Sequence, residues 1–155
     1  MISRRTFVTQ TAALGGALLA GGPLQALERT APPTLTIYKS RSCGCCTKWV
    51  DHVKAAGFAT VVHDEEDMDT VKDSLGVPRG MRSCHTAQVE KYLVEGHVPA
   101  ADIQRLLKER PRVAGLAVPG MPASSPGMAV PGEPHEPFET MAFQLDGKTT
   151  SYAKH

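Results

Sequence analysis

The sequence predicts an α/β fold, and three observations predict it. A β-rich, alternating stretch from Thr34 to Lys39 gives way at once to a helical apolar pattern. Strand and helix patterns then follow in the order β-α-β-α-β-β-α as far as Pro111. The first strand–helix junction holds Cys43-Gly44-Cys45-Cys46, three of the four cysteines in this 155-residue chain.

Taken in order, Thr34–Lys39 reads as a buried strand. The helix after the cysteines runs from about Cys45 to Ala56. Cys46, Trp49, Val50, Val53 and Ala56 recur on one face, and Gly57 stops it. On this spacing Cys46 points inward and Cys43 sits at the exposed start. Phe58–His63 is a second strand. Asp64 is placed to cap a helix reaching Leu75, with Met68, Val71 and Leu75 inward, and Gly76-Val77-Pro78 ends it. A loop from Arg79 to Cys84 leads to two short strands, Thr86–Glu90 and Tyr92–Glu95. Pro99 opens a helix at its first position, with Ile103, Leu106 and Leu107 facing in. From Gly115 to Pro137 six of the chain's 12 prolines collect, and regular structure is not expected. Phe138–Leu145, Asp146-Gly147 and Lys148–Tyr152 read as a terminal hairpin.

A cysteine pair at the first strand–helix junction of this element order is the thioredoxin arrangement. The predicted architecture is therefore thioredoxin-like, over residues 34–155, with a Pro/Gly/Met-rich loop and a C-terminal β-hairpin. In that arrangement the loop before the third strand packs against the cysteine turn. Cys84 falls in that loop, so two sites far apart in sequence converge.

Residues 1–26 read as a leader and not as part of the domain. Ser3-Arg4-Arg5-Thr6-Phe7 is a twin-arginine export pattern. A weakly apolar Ala/Gly run follows, shorter than the about 20 apolar residues of a membrane span. Leu24-Gln25-Ala26 is a plausible cleavage site. Left uncleaved, the same run would be a short membrane anchor. The leader carries Arg4 and Arg5 and no acid, so the remaining 129 residues hold 15 basic against 16 acidic side chains. That balance argues against nucleic acid or an anionic membrane surface as partner, and after cleavage no stable membrane insertion is expected. The destination is the periplasm, by the twin-arginine route.

An oxidising compartment would permit two structural disulfides. Yet Cys45 and Cys46 are adjacent, and three thiols in four residues close no long loop. Cys43 and Cys46 form a C-x-x-C at a helix N-terminus, where the helix dipole favours thiolate. A thiol–disulfide oxidoreductase is therefore one reading. Against it, Cys45 inside the motif and Cys84 beyond it would compete for any mixed disulfide. Four converging thiols suit a soft metal better. Zinc is typically held by two separated C-x-x-C knuckles, whereas adjacent cysteines suit bridging thiolates in a small Cu(I) cluster. The methionines of a repeated Pro-Gly-Met unit, Met121 and Met128, lean the same way, with Met81 a further candidate. A solvated loop with incidental methionines is the plain alternative, and Met68 reads as core. His85, next to Cys84, is the best imidazole candidate, and His97 lies near the same end of the sheet. His52, His63, His135 and His155 read as surface.

Several blocks together carry a resemblance: Cys43-Gly44-Cys45-Cys46 with Trp49, Gly76-Val77-Pro78, Ser83-Cys84-His85-Thr86-Ala87, Val94-Glu95-Gly96-His97-Val98-Pro99-Ala100, Gly115-Leu116-Ala117-Val118-Pro119-Gly120-Met121-Pro122, and Ser125-Pro126-Gly127-Met128. From about Leu35 to Met128 the chain resembles the small periplasmic copper-resistance proteins of the CopG type, long catalogued as a domain of unknown function. The resemblance implies a thioredoxin-like fold and a cysteine-bridged multinuclear copper cluster, with Cys43, Cys45, Cys46 and Cys84 as its cysteines. It also implies a role in copper resistance, through a change in copper's oxidation state. A carrier that only passes copper to other envelope copper-handling proteins is a third reading.

Overall fold

A computed structural model describes residues 31–155. The expected leader lies outside these residues. Among the described residues no helix is long and apolar enough to cross a membrane.

Strand β1 (Thr34–Ser40) alternates as its sequence does: Leu35, Ile37 and Lys39 are buried, and the residues between them are not. Helix α1 (Gly44–Ala55) buries Cys46, Trp49, Val50 and Val53, the inward face its periodicity predicts. It ends where Gly57 takes φ +94° and the Phe58 N–H reaches back to the Val53 carbonyl, a Schellman closure. Strand β2 (Ala59–Glu65) pairs parallel to β1 in register Thr34↔Ala59.

Helix α2 (Met68–Leu75) differs from the sequence expectation in two ways. Its N-cap is Asp67, not Asp64: the Asp67 carboxylate accepts the Asp69 and Thr70 N–H groups at 3.0 and 3.1 Å. Asp64 instead stays in β2 and pairs with Lys39 at 2.9 Å. Met68, Val71 and Leu75 are only half-buried, and the buried side chain is Lys72.

A 3-10 turn (Arg79–Met81) precedes β3 (His85–Val89) and β4 (Tyr92–Glu95). Helix α3 (Ala100–Glu109) starts one residue later than expected, with Pro99 as its N-cap and not its first helical residue. Its first N–H, from Ala100, donates to His52 Nε2 at 3.0 Å. His52 is thus a half-buried cap and not a surface residue.

The segment read as irregular contains a strand, β5 (Gly115–Ala117). Three residues are too few for a periodic signal. The strand exists because both its edges are paired, to β4 in parallel and to β6 (Glu139–Phe143) antiparallel. Gly115 is required there, since a Cβ would fall 2.1 Å from the Leu93 carbonyl oxygen. Strand β7 (Thr149–Lys154) closes the expected hairpin with β6. His155, expected at the surface, is half-buried, its Nε2 2.9 Å from the Asp102 carboxylate.

The result is a mixed seven-stranded sheet in the order β2-β1-β3-β4-β5-β6-β7. A row of directly paired residues, Ile37, Ala87, Val94, Leu116 and Ala142, crosses five strands on one face. With Trp49 and Val53 of α1 and Ile103 and Leu106 of α3 it makes the main core. Val77, Leu93, Ala117 and Phe143 form a smaller cluster. The neighbouring row on β3 and β4 holds Thr86 opposite Glu95, which is where Lys72 of α2 arrives.

Candidate metal centre

The cysteine turn sits between β1 and α1. Cys43 has extended backbone and occupies the N-cap with no side-chain bond to the helix. Its sulfur is therefore free for other chemistry, and it is bonded to Cys46 in a disulfide. Cys45 and Cys84 are free and half-buried. Cys45 Sγ lies 3.5 Å from Cys43 Sγ. Cys84 arrives on the connection between the 3-10 turn and β3, and the sulfurs of Cys43, Cys45, Cys46 and Cys84 all lie within 4.8 Å of one another.

A second constellation overlaps the first through Cys84. Its sulfur is 2.9 Å from His97 Nε2 and 3.4 Å from His85 Nδ1, and the three ligand atoms lie within 4.8 Å. His85 is the first residue of β3 and shares its face with Ala87. It is fully buried, with its ring 4.4 Å from the Trp49 ring and 5.0 Å from the His97 ring. Trp49 is itself fixed by donating its indole N–H to the Val98 carbonyl at 2.8 Å. His97 donates its Nδ1–H to the Pro126 carbonyl at 2.8 Å, which leaves a lone pair on the Nε2 facing Cys84.

The electrostatics keep these groups neutral. Burial holds the His85 imidazole well below its ordinary value, and the neighbouring His97 and Lys72 push the same way. Burial lowers His97 too, against its bond to Pro126. Burial, with Cys45 beside it, pushes the Cys84 thiol up to about 12. Without a metal, Cys84 is therefore a thiol that donates to His97 Nε2. Two neutral imidazoles and up to four sulfurs are a soft donor set that fits Cu(I). The His85 Nε2 is a buried atom with no hydrogen-bond partner among the described residues.

The Pro-Gly-Met loop folds over this centre. Gly127, at φ +87°, lies so close to α1 that a Cβ would fall 2.8 Å from the Cys45 carbonyl oxygen and 2.9 Å from the Trp49 nitrogen. Pro126 holds His97, and the Gly120 carbonyl accepts from the Ser83 hydroxyl. The methionines sit differently. Met128, next to Gly127, is half-buried and lines an open groove with Ser124, Val130 and His135, whereas Met121 is 54 % exposed. Met81 and Met68 are half-buried, and Met81 packs against the smaller core cluster.

Sequence reasoning missed the buried charges beneath Cys84. Glu95 accepts from Lys72 Nζ at 2.5 Å and from the Ser83 N–H at 2.6 Å on one oxygen, and from the Thr86 hydroxyl at 2.6 Å on the other. Burial raises the Glu95 carboxyl, against the pull of the Lys72 ammonium. The signal was present: Met68, Val71, Lys72 and Leu75 share one helical face, and Glu95 ends an otherwise apolar strand.

A family model described as a protein of unknown function, DUF411, matches residues 81–128. No curated protein sequence matches the chain. Two solved structures of a copper resistance protein CopG, forms 1 and 2, are each 42 % identical to it. Each comparison covers 80 % of this chain and 98 % of that one, with TM-scores of 0.74 and 0.75.

Proposed function

Because the chain belongs to the CopG family of copper resistance proteins, we propose that it binds copper at the Cys43, Cys45, Cys46 and Cys84 centre and serves copper resistance in the periplasm. On this reading a thioredoxin-like scaffold, exported by the twin-arginine route, holds a small copper cluster bridged by thiolates. His85, Met121 and Met128 are its further ligands from the sequence, and His97 joins them. The observation that carries the reading is the approach of four sulfurs within 4.8 Å, with His97 Nε2 2.9 Å from one of them. Thiolate is the binding form of cysteine, so the Cys43–Cys46 disulfide is the oxidised state and binding starts from the dithiol. That pair also supports a copper oxidoreductase activity. Closing the disulfide releases two protons and two electrons, enough to reduce two Cu(II) ions to Cu(I). Other envelope copper-handling proteins would supply and receive the metal. Anaerobic Cu(I) titration of the fully reduced protein, with metal analysis, tests the reading. More than one copper per chain is expected, and one zinc with no copper under competition would overturn it.

One observation favours a second reading, a thiol–disulfide oxidoreductase acting on envelope proteins. The Cys43–Cys46 pair is a disulfide at the start of α1, and a free thiol, Cys45, stands 3.5 Å from Cys43. Reduction of insulin at thioredoxin-like rates would support that reading against the first. The first predicts slow reduction, because Cys45 and Cys84 divert any mixed disulfide.

A further inference from the structure

Cys84 lies outside regular structure, between the 3-10 turn and β3, so strand pairing does not set the place of its sulfur. Something else must hold it to the few tenths of an ångström that a ligand needs. The residues on either side of it show what does. The N–H of Ser83, just before Cys84, donates to Glu95 Oε1 at 2.6 Å. The hydroxyl of Thr86, two residues after, donates to Glu95 Oε2 at 2.6 Å. Lys72 Nζ donates both to Glu95 Oε1 at 2.5 Å and to Thr86 Oγ1 at 2.9 Å. One carboxylate thus grips the Cys84–His85 dipeptide from both flanks, and one ammonium steadies the carboxylate.

The ion pair is closed to water: Glu95 is 0 % exposed and Lys72 3 %. A buried ion pair adds little stability over apolar side chains of the same volume. Two further groups, the Ser83 N–H and the Thr86 hydroxyl, committed to one such pair are better explained by position than by stability. The backbone agrees. Gly96, next to Glu95, takes φ +70°, and a Cβ there would fall 2.6 Å from the Ser83 Cβ, so Ser83 is seated directly on that glycine. The Gly96 N–H also donates to the His85 carbonyl at 2.9 Å.

We propose that Glu95, held by Lys72, is a positioning residue that sets Cys84 and His85 against the cysteine turn. The proposal rests on the copper reading for its purpose but not for its geometry. The carboxylate hydrogen-bonds to neither sulfur nor imidazole; it acts through the Ser83 N–H and the Thr86 hydroxyl.

Two double variants test it. Lys72→Met with Glu95→Leu removes both charges and the tether while keeping apolar volume. Lys72→Met with Glu95→Gln also removes both charges, but keeps an acceptor for the Ser83 N–H and a polar partner for Thr86. Each is made in the parent and in a Cys45→Ser background. In that background, with the Cys43–Cys46 disulfide intact, Cys84 is the one free thiol and iodoacetamide reports on it alone. The Leu-bearing variant is expected to alkylate Cys84 about tenfold faster, and in the parent background to bind Cu(I) about tenfold more weakly, the lower end for losing a residue that orients a ligand. Its Cu(I)–thiolate ultraviolet absorption per bound copper should fall as well. The Gln-bearing variant should restore all three readings towards the parent. Equal alkylation rates in the Leu-bearing variant and the parent, or a Gln-bearing variant no better than the Leu-bearing one, would overturn the proposal. If the Leu-bearing protein does not fold, Glu95→Asp replaces it: the charge pair stays, the carboxylate falls short of Ser83, and the same faster alkylation is expected. A parent that takes up no Cu(I) would sink the copper reading, and the alkylation rates would still decide for or against positioning.

Discussion

Cys84 Sγ and His97 Nε2 lie 2.9 Å apart, although the two residues are 13 positions apart in the chain. His97 gives its other ring proton to Pro126, so the nitrogen that faces Cys84 carries a lone pair. The thiol proton fills the gap between sulfur and nitrogen, which is the place a shared metal ion would take. Metal binding at Cys84 must therefore displace that proton.

The first prediction concerns pH. The Cys84 thiol is pushed up to about 12, so in the metal-free protein it keeps its proton throughout the neutral range. Each step up in pH then favours the metal-bound form, and Cu(I) affinity rises between about pH 6 and 8. Titration in weak buffer should release protons, and Cys84→Ser should release fewer. An affinity flat across that range would contradict the geometry.

Cys84→Ser should damage copper binding about as badly as Cys43→Ser. The four sulfurs lie within 4.8 Å, so position along the chain gives neither cysteine priority. Full copper stoichiometry and affinity in Cys84→Ser would show that the converging loop is not part of the site.

Acid should destabilise the metal-free protein through its buried imidazoles. His85 is held well below its ordinary value of 6.5, chiefly by burial, and His97 and His52 are lowered for the same reason. The unfolded chain therefore takes up protons below about pH 6.5 that the folded chain resists. Stability is full above that value and is lost as pH falls below it. Urea unfolding at a series of pH values checks this, with His85→Phe expected to flatten the dependence by its own share and no more.

The Pro-Gly-Met loop should behave as a lid. Met121→Leu with Met128→Leu keeps size and apolarity, so folding should lose less than about 1.5 kcal/mol. Copper stoichiometry or air oxidation of the bound Cu(I) should nonetheless change, because thioether is a neutral soft ligand that favours Cu(I). Gly127→Ala should cost about 1–3 kcal/mol through its positive φ alone. It should also lift the loop, since the added Cβ meets the Cys45 and Trp49 backbone. A double methionine variant identical to its parent in anaerobic titration and air oxidation would leave the loop a solvated connection.

Much of this was legible in the chain because it rests on short-range pattern. The alternation of Leu35 and Ile37 and the Cys46, Trp49, Val50, Val53 stripe are visible residue by residue. The approach of Cys84 follows from element order. What was not legible depends on partners distant in sequence. Gly115–Ala117 is a strand only because β4 and β6 flank it. Asp64 looks like a cap until Lys39 on the next strand claims it. Lys72 looks like a solvated lysine until Glu95 stands opposite. His97 was visible as a residue, but its bond to Pro126, which aims it at Cys84, belongs to the fold of the loop.

The central claim is that the cysteine centre is a copper site and not a disulfide device. The most direct measurement is metal content after the fully reduced protein is offered Cu(I) and Zn(II) together without oxygen, with thiols counted in the same sample. Four titratable thiols before loading, more than one copper per chain after it, and no zinc are the predicted result. One zinc per chain with no copper, or no bound metal beside four intact thiols, would contradict it.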